Sequence, residues 1–103
     1  MIVRIAEIQV DRSQLEEYLK QARTVGAESV SKEPGVIAIF PMVEKRNPEQ
    51  IRIVEIYKNE EAYKAHLQTP HFLKYKTSTL SMVKKLDLVD MTPLAGTVSC
   101  SIS

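Results

Sequence analysis

The chain has two histidines, His66 and His71, and both lie in AHLQTPHF, residues 65–72, with Pro70 between them. An imidazole can take up a proton, donate one, or ligate a metal. A metal pair on one helix is usually spaced i, i+4, whereas these two stand five apart and Pro70 restarts the helix. No third ligand stands out beside them, so no metal site is expected. The two are expected to have unequal roles. His66 falls on a helical stripe with Ala62, Tyr63 and Leu67, and His71 begins the next segment, either packed there or reaching a ligand.

Glu55 is the second group of interest. In QIRIVEIY, alternation puts Ile51, Ile53, Glu55 and Tyr57 on one face. An ionised carboxylate among apolar neighbours is costly unless it is paired or hydrogen-bonded. If the following helix packs on that face, Glu55 and His66 meet. The pair then reads as a general base or hydrogen-bond donor (His66) oriented by a carboxylate (Glu55), or as a structural tie between helix and sheet. Tyr57, Tyr63, Phe40, Phe72 and Met42, with His71, are the expected lining of a small apolar pocket, although aromatics at helical spacing also serve as plain core. Arg4 shares a strand face with Ile2, Ala6 and Ile8; it reads as outward-pointing or interfacial, or else as a contact for an anionic substrate.

These residues must be positioned by elements that the sequence marks clearly. IVRIAEIQV, 2–10, is rich in β-branched residues and reads as a strand. Asp11 or Ser13 can cap a long amphipathic helix, which Glu33-Pro34-Gly35 ends. The apolar run 36–44 suggests a strand covered on both faces. A polar turn at 45–49 leads into the strand 50–58, and the two strands are expected to pair as a hairpin. Asn59 caps a second helix, and Thr69-Pro70 restarts it as a third segment reaching about Met82. The strand 84–91 is expected to be a last core strand. The order β-α-β-β-α-β is that of a ferredoxin-like α+β fold with an antiparallel sheet. Residues 1–93 form one domain. In the tail, 94–103, Val98, Cys100 and Ile102 alternate with polar residues, which suits an extra edge strand or a dimer contact.

Bulk properties exclude several classes. The chain has 103 residues, enough for one modest core, and its net charge of +1 gives no electrostatic case for nucleic acid or a membrane surface. No apolar run approaches the roughly 20 residues of a bilayer span, and no signal peptide is read at the N-terminus. The single Cys100 has no intrachain partner and no basic neighbour to activate it, which fits a cytoplasmic protein. RNA-recognition aromatics and paired metal-carrier cysteines are both missing.

Three elements occur in order: Glu33-Pro34-Gly35 after the first helix, Glu55 two residues before Tyr57, and Ala65, His66, Thr69, Pro70, His71 and Phe72. With these, the chain resembles the antibiotic biosynthesis monooxygenase-like family of dimeric α+β barrel proteins, over residues 1 to about 93. The resemblance implies a homodimer whose two sheets close a barrel, a small-molecule substrate and no cofactor. The family's chemistry is mixed: cofactor-free oxygenases of quinols and anthrones, haem-degrading enzymes, and an isomerase of a phosphorylated sugar signal. The haem-degrading branch uses a tryptophan on the third strand and a histidine on the last helix. Here Tyr57 replaces the tryptophan, the chain has no Trp, and no histidine follows His71. The expected function is therefore cofactor-independent oxidation of a small quinol-like or aromatic substrate by dioxygen. The alternatives are proton-transfer isomerisation of a hydroxyketone or sugar phosphate, and a non-catalytic small-molecule-binding dimer.

Overall fold

Strand β1, Ile2–Val10, buries Ala6, Ile8 and Val10 in alternation, as a strand with one covered face must. It ends at Asp11, whose carboxylate accepts from the Ser13 amide and hydroxyl and caps a 3-10 turn, Arg12–Gln14. That turn leads into helix α1, Leu15–Lys32, which buries Tyr18, Ala22, Val25, Gly26 and Ser29 at helical spacing. Strands β2, Val36–Val43, and β3, Gln50–Tyr57, follow as the expected hairpin. Asn59 caps helix α2, Glu60–His66, by accepting from the Ala62 amide, and Thr69 caps helix α3, Pro70–Thr79, in the same way through Phe72. A 3-10 turn, Leu80–Met82, joins α3 to β4, Val83–Met91. The structure, a computed structural model, describes residues 1–94; the readings made for the remainder of the tail lie outside the described residues.

All strand pairs are antiparallel and the order is β2-β3-β1-β4, the ferredoxin-like arrangement expected from the element order. The three helices lie over one face of the sheet. Between them sits the core, built around Ile8, Val10, Tyr18, Ile51, Ile53 and Tyr57.

Two expectations about the strands need correction. β4 is an edge strand, not a core strand, and Leu86, Leu88, Val89 and Met91 are exposed in the single chain. β2 is also an edge strand, and in the single chain only one of its faces is covered. Its register shifts between Val36 and Ala38, so Ile39 points inward while Ile37, Phe40 and Met42 face out.

The turn at Glu33-Pro34-Gly35 owes its glycine to a close approach. A Cβ at Gly35 would stand 2.4 Å from the Cβ of Ala62, near the start of α2. The Gly35 carbonyl also accepts from the Lys58 amide, 2.9 Å away, just before that helix. Gly35→Ala is therefore expected to destabilise the fold by about 1–3 kcal/mol through overpacking. Urea unfolding measures this, and an unchanged midpoint would contradict the tight approach of α2.

Candidate active site

A cavity of about 310 Å³ lies between the inner sheet face and the helices. Its walls are chiefly apolar, among them Ile8, Ile53, Phe72, Leu86 and Leu88, with a few polar groups from Arg4, Glu55, Tyr57, Tyr63, His66 and Tyr75. This is the composition of a site for a small, mostly apolar ligand oriented by a few polar contacts.

His66 is the last residue of α2 and is only 4% exposed. Its ring is held between Phe72 and Tyr57, with centroids 4.9 and 5.3 Å away. Its carbonyl accepts from the Thr69 hydroxyl at 2.8 Å, which ties the end of α2 to the cap of α3. Its partner is not Glu55. Nδ1 of His66 lies 3.0 Å from Oε2 of Glu33, and the same oxygen lies 2.5 Å from Nε2 of His71. Glu33 terminates α1, where the negative end of the helix dipole makes a carboxylate unfavourable. Two imidazole N–H groups offset that. In the sequence Glu33 stands out only as part of the turn Glu33-Pro34-Gly35. A carboxylate at a helix C-terminus, opposite in sign to what the dipole favours, was the signal available.

Glu33, His66 and His71 are also the one group of metal-ligand type among the described residues, their ligand atoms lying within 4.8 Å of one another. The third ligand-type residue that the sequence did not suggest is thus present. The spacing, however, is that of hydrogen bonds. Two ligands about 2.1 Å from one ion stand roughly 3 Å apart even when adjacent on an octahedron, and the Glu33–His71 contact is shorter, at 2.5 Å. As found, the trio is one carboxylate oxygen accepting from two imidazoles.

Glu55 faces the cavity as strand alternation requires, but it accepts a 2.7 Å hydrogen bond from the Tyr57 hydroxyl, and no hydrogen bond joins it to His66. Burial pushes its carboxyl above the ordinary range, outweighing the opposing effects of the Tyr57 hydrogen bond and the His66 and Arg4 charges. Burial, followed by the nearby Glu55 charge, also pushes the Tyr57 hydroxyl up. A raised carboxyl binds its proton more tightly folded than unfolded. Its stabilising effect is therefore present at low pH and lost as pH rises from the ordinary carboxylate range through its folded value. Glu55→Gln should accordingly gain stability relative to wild type on going from about pH 4 to about pH 7. Urea unfolding of both proteins at the two pH values checks this, and a pH-independent difference would refute it.

Arg4 lines the cavity instead of pointing away from it. Its Nη1 donates to the Tyr63 hydroxyl at 2.6 Å, its Nε donates to Asp90 at 2.8 Å, and its guanidinium lies 4.6 Å from the Tyr63 ring centre. Deeper in, the hydroxyls of Tyr18 and Tyr75 share a 2.5 Å hydrogen bond.

Of the residues expected in the pocket, Tyr57, Tyr63 and Phe72 line the cavity with His66 and Glu55. His71 stands behind Glu33 and is not part of the lining. Phe40, 61% exposed, and Met42 lie on the opposite face of the sheet. The sequence placed them in the pocket because a continuous apolar run carries no phase, and the register shift near Ile37 decides which side they face.

The sequence matches a model of the antibiotic biosynthesis monooxygenase family over residues 1–78. Among solved structures, a protein from Bacteroides thetaiotaomicron provisionally described as an antibiotic biosynthesis monooxygenase is 43% identical, with a TM-score of 0.92, covering 95% of this chain and 93% of that one. A protein from Lactobacillus acidophilus, provisionally described as a monooxygenase, is 27% identical with a TM-score of 0.86 over 88% of this chain and 43% of its own. A third, from Nitrosomonas europaea, is 22% identical with a TM-score of 0.87, covering 92% of this chain and all of its own, and shares the fold. No curated protein sequence matches.

Proposed function

Because the chain belongs to the antibiotic biosynthesis monooxygenase family, we propose that its cavity oxidises a small quinol-like or other phenolic aromatic with dioxygen and without a cofactor. The observation that carries this reading is the state of His66. Its Nδ1 is engaged by Glu33 while its ring lines the cavity, which leaves Nε2 as the nitrogen available to a bound ligand.

Chemically, the residues need do little. Nε2 accepts the proton of a phenolic or enolic oxygen, and Glu33 stabilises the imidazolium that forms. The resulting anion is electron-rich enough to give one electron to dioxygen, and the substrate radical and superoxide combine at the activated ring carbon. Loss of water from the hydroperoxide turns a CH2 group into C=O, so that CH2 and O2 become C=O and H2O. His66 returns its proton to the departing oxygen. Apolar walls give the radical pair few polar groups to react with. The cover that a second subunit would place over the exposed Leu86 and Leu88 would keep water out.

A second reading, proton-transfer isomerisation of a hydroxyketone or sugar phosphate, requires a cation in the cavity. Arg4 and Lys76 satisfy that requirement. Arg4 is already engaged by Asp90 and Tyr63, which leaves Lys76 as the cation this reading would use. Substrate panels under air and under nitrogen separate the two, because only the oxygenase stops without oxygen.

The working form is proposed to be a homodimer. Phe40 and Met42 on β2 and Val89 and Met91 on β4 expose an apolar outer sheet face, and a second copy of that face would cover it. Sedimentation equilibrium should return a dimer mass, and a monomer at micromolar concentration would oppose the proposal. No helix among the described residues is long and apolar enough to cross a membrane. A cytoplasmic location is proposed in keeping with the single cysteine.

A further inference from the structure

We propose that His71 is a positioning residue that acts through Glu33 to hold His66 in one tautomer, protonated on Nδ1 and unprotonated on Nε2. Its consequence for catalysis rests on the reading of His66 as the base; the tautomer itself does not.

Oε2 of Glu33 is 3.0 Å from His66 Nδ1 and 2.5 Å from His71 Nε2. An ionised carboxylate only accepts hydrogen bonds, so both nitrogens facing it must carry their protons. Where both rings are neutral they are opposite tautomers: Nδ1–H in His66 and Nε2–H in His71. For His66, which lines the cavity, this leaves the Nε2 lone pair free of Glu33.

His71 earns a role beyond packing because a glutamate that met His66 alone would be poorly fixed. The Glu33 side chain has three rotatable bonds and leaves the C-cap of α1, where the backbone is already extended. A second donor on the same oxygen anchors the carboxylate at the far side. That donor is itself rigid: His71 follows Pro70 in the first turn of α3, below the Thr69 cap, and its side chain is buried. The Thr69 hydroxyl bonds to the His66 carbonyl, so one capped turn sets the separation of the two rings, 6.4 Å between centroids. This explains the five-residue spacing. A continuous helix would point the two imidazoles apart, whereas the interruption at Leu67–Thr69 turns both onto one carboxylate.

Imidazole NMR correlating ring nitrogens with ring protons reads tautomers directly, and two histidines give an uncrowded spectrum. At about pH 8, above the ordinary histidine range, wild type should show one ring of each tautomer, with His66 as Nδ1–H. His71→Leu fills space without a donor, and His71→Gln restores an N–H. His71→Leu should bring the Nε2–H form of His66 into the spectrum and lower kcat about tenfold with KM little changed. His71→Gln should retain Nδ1–H and recover most of kcat. Nε2–H at His66 in wild type overturns the proposal. So does an unaltered His66 tautomer in folded His71→Leu, or equal failure of both folded variants. If neither variant folds, the wild-type spectrum decides. If no substrate is ever turned over, the tautomer pattern still stands or falls by itself.

Discussion

Replacing His66 by alanine is expected to lower turnover of a quinol-like substrate by about 10²–10⁴-fold, the usual contribution of a positioned acid–base group. KM should change much less, because the apolar walls that hold the ring, Ile53, Phe72, Leu86 and Leu88, stay in place. The split matters, since an equal loss in kcat and affinity would mark His66 as a binding residue and not as the base. The substitution also removes a ring packed between Phe72 and Tyr57, so the variant's unfolding midpoint must accompany the kinetics. His66→Gln preserves more of that packing and should be as inactive. Recovery of wild-type turnover in His66→Gln would remove the assignment.

Glu33→Ala should have the second largest effect, and on two observables at once. In the folded protein it leaves two buried imidazole N–H groups without their acceptor, each costing about 1–3 kcal/mol when unsatisfied. A loss of about 2–4 kcal/mol in urea unfolding follows, offset in part by removing a carboxylate from the negative end of α1. Turnover should fall about 10²-fold, because His66 loses both its orientation and the charge that stabilises its protonated form. Glu33→Gln keeps the shape and one acceptor oxygen. It should regain most of the stability but little of the activity. If Glu33→Gln retained full turnover, the carboxylate would be a structural tie and no more.

Much of this arrangement is legible locally. Asp11, Asn59 and Thr69-Pro70 each mark a helix start by side-chain chemistry that acts within three residues, and the strands announce themselves by alternation. The inward face of β3, with Glu55 beside Tyr57, follows from that alternation alone. What alternation cannot supply is the partner across the interface. Glu33 reaches His66 and His71 over 33 and 38 residues of chain, across β2, β3 and α2 and, for His71, the turn between α2 and α3. Glu55 was the carboxylate visible on the right face, and the geometry of α2 gives His66 to Glu33 instead. Phe40 and Met42 illustrate a second limit. Along an apolar run every residue fits either face, so one shift of register moves both out of the pocket. Gly35 shows the converse: the motif Glu33-Pro34-Gly35 is plain in the sequence, but its reason, the approach of Ala62, appears only when α2 is placed.

The central claim is that the cavity oxidises its substrate with dioxygen through a proton taken by His66. An oxygen electrode tests it most directly, with the purified homogeneous protein, no added metal or cofactor, and a panel of dihydroquinones and anthrones. The account predicts oxygen uptake equal to product formed, ceasing under nitrogen and lost in His66→Ala. Turnover that continues without oxygen, or oxygen uptake undiminished in His66→Ala, would contradict it.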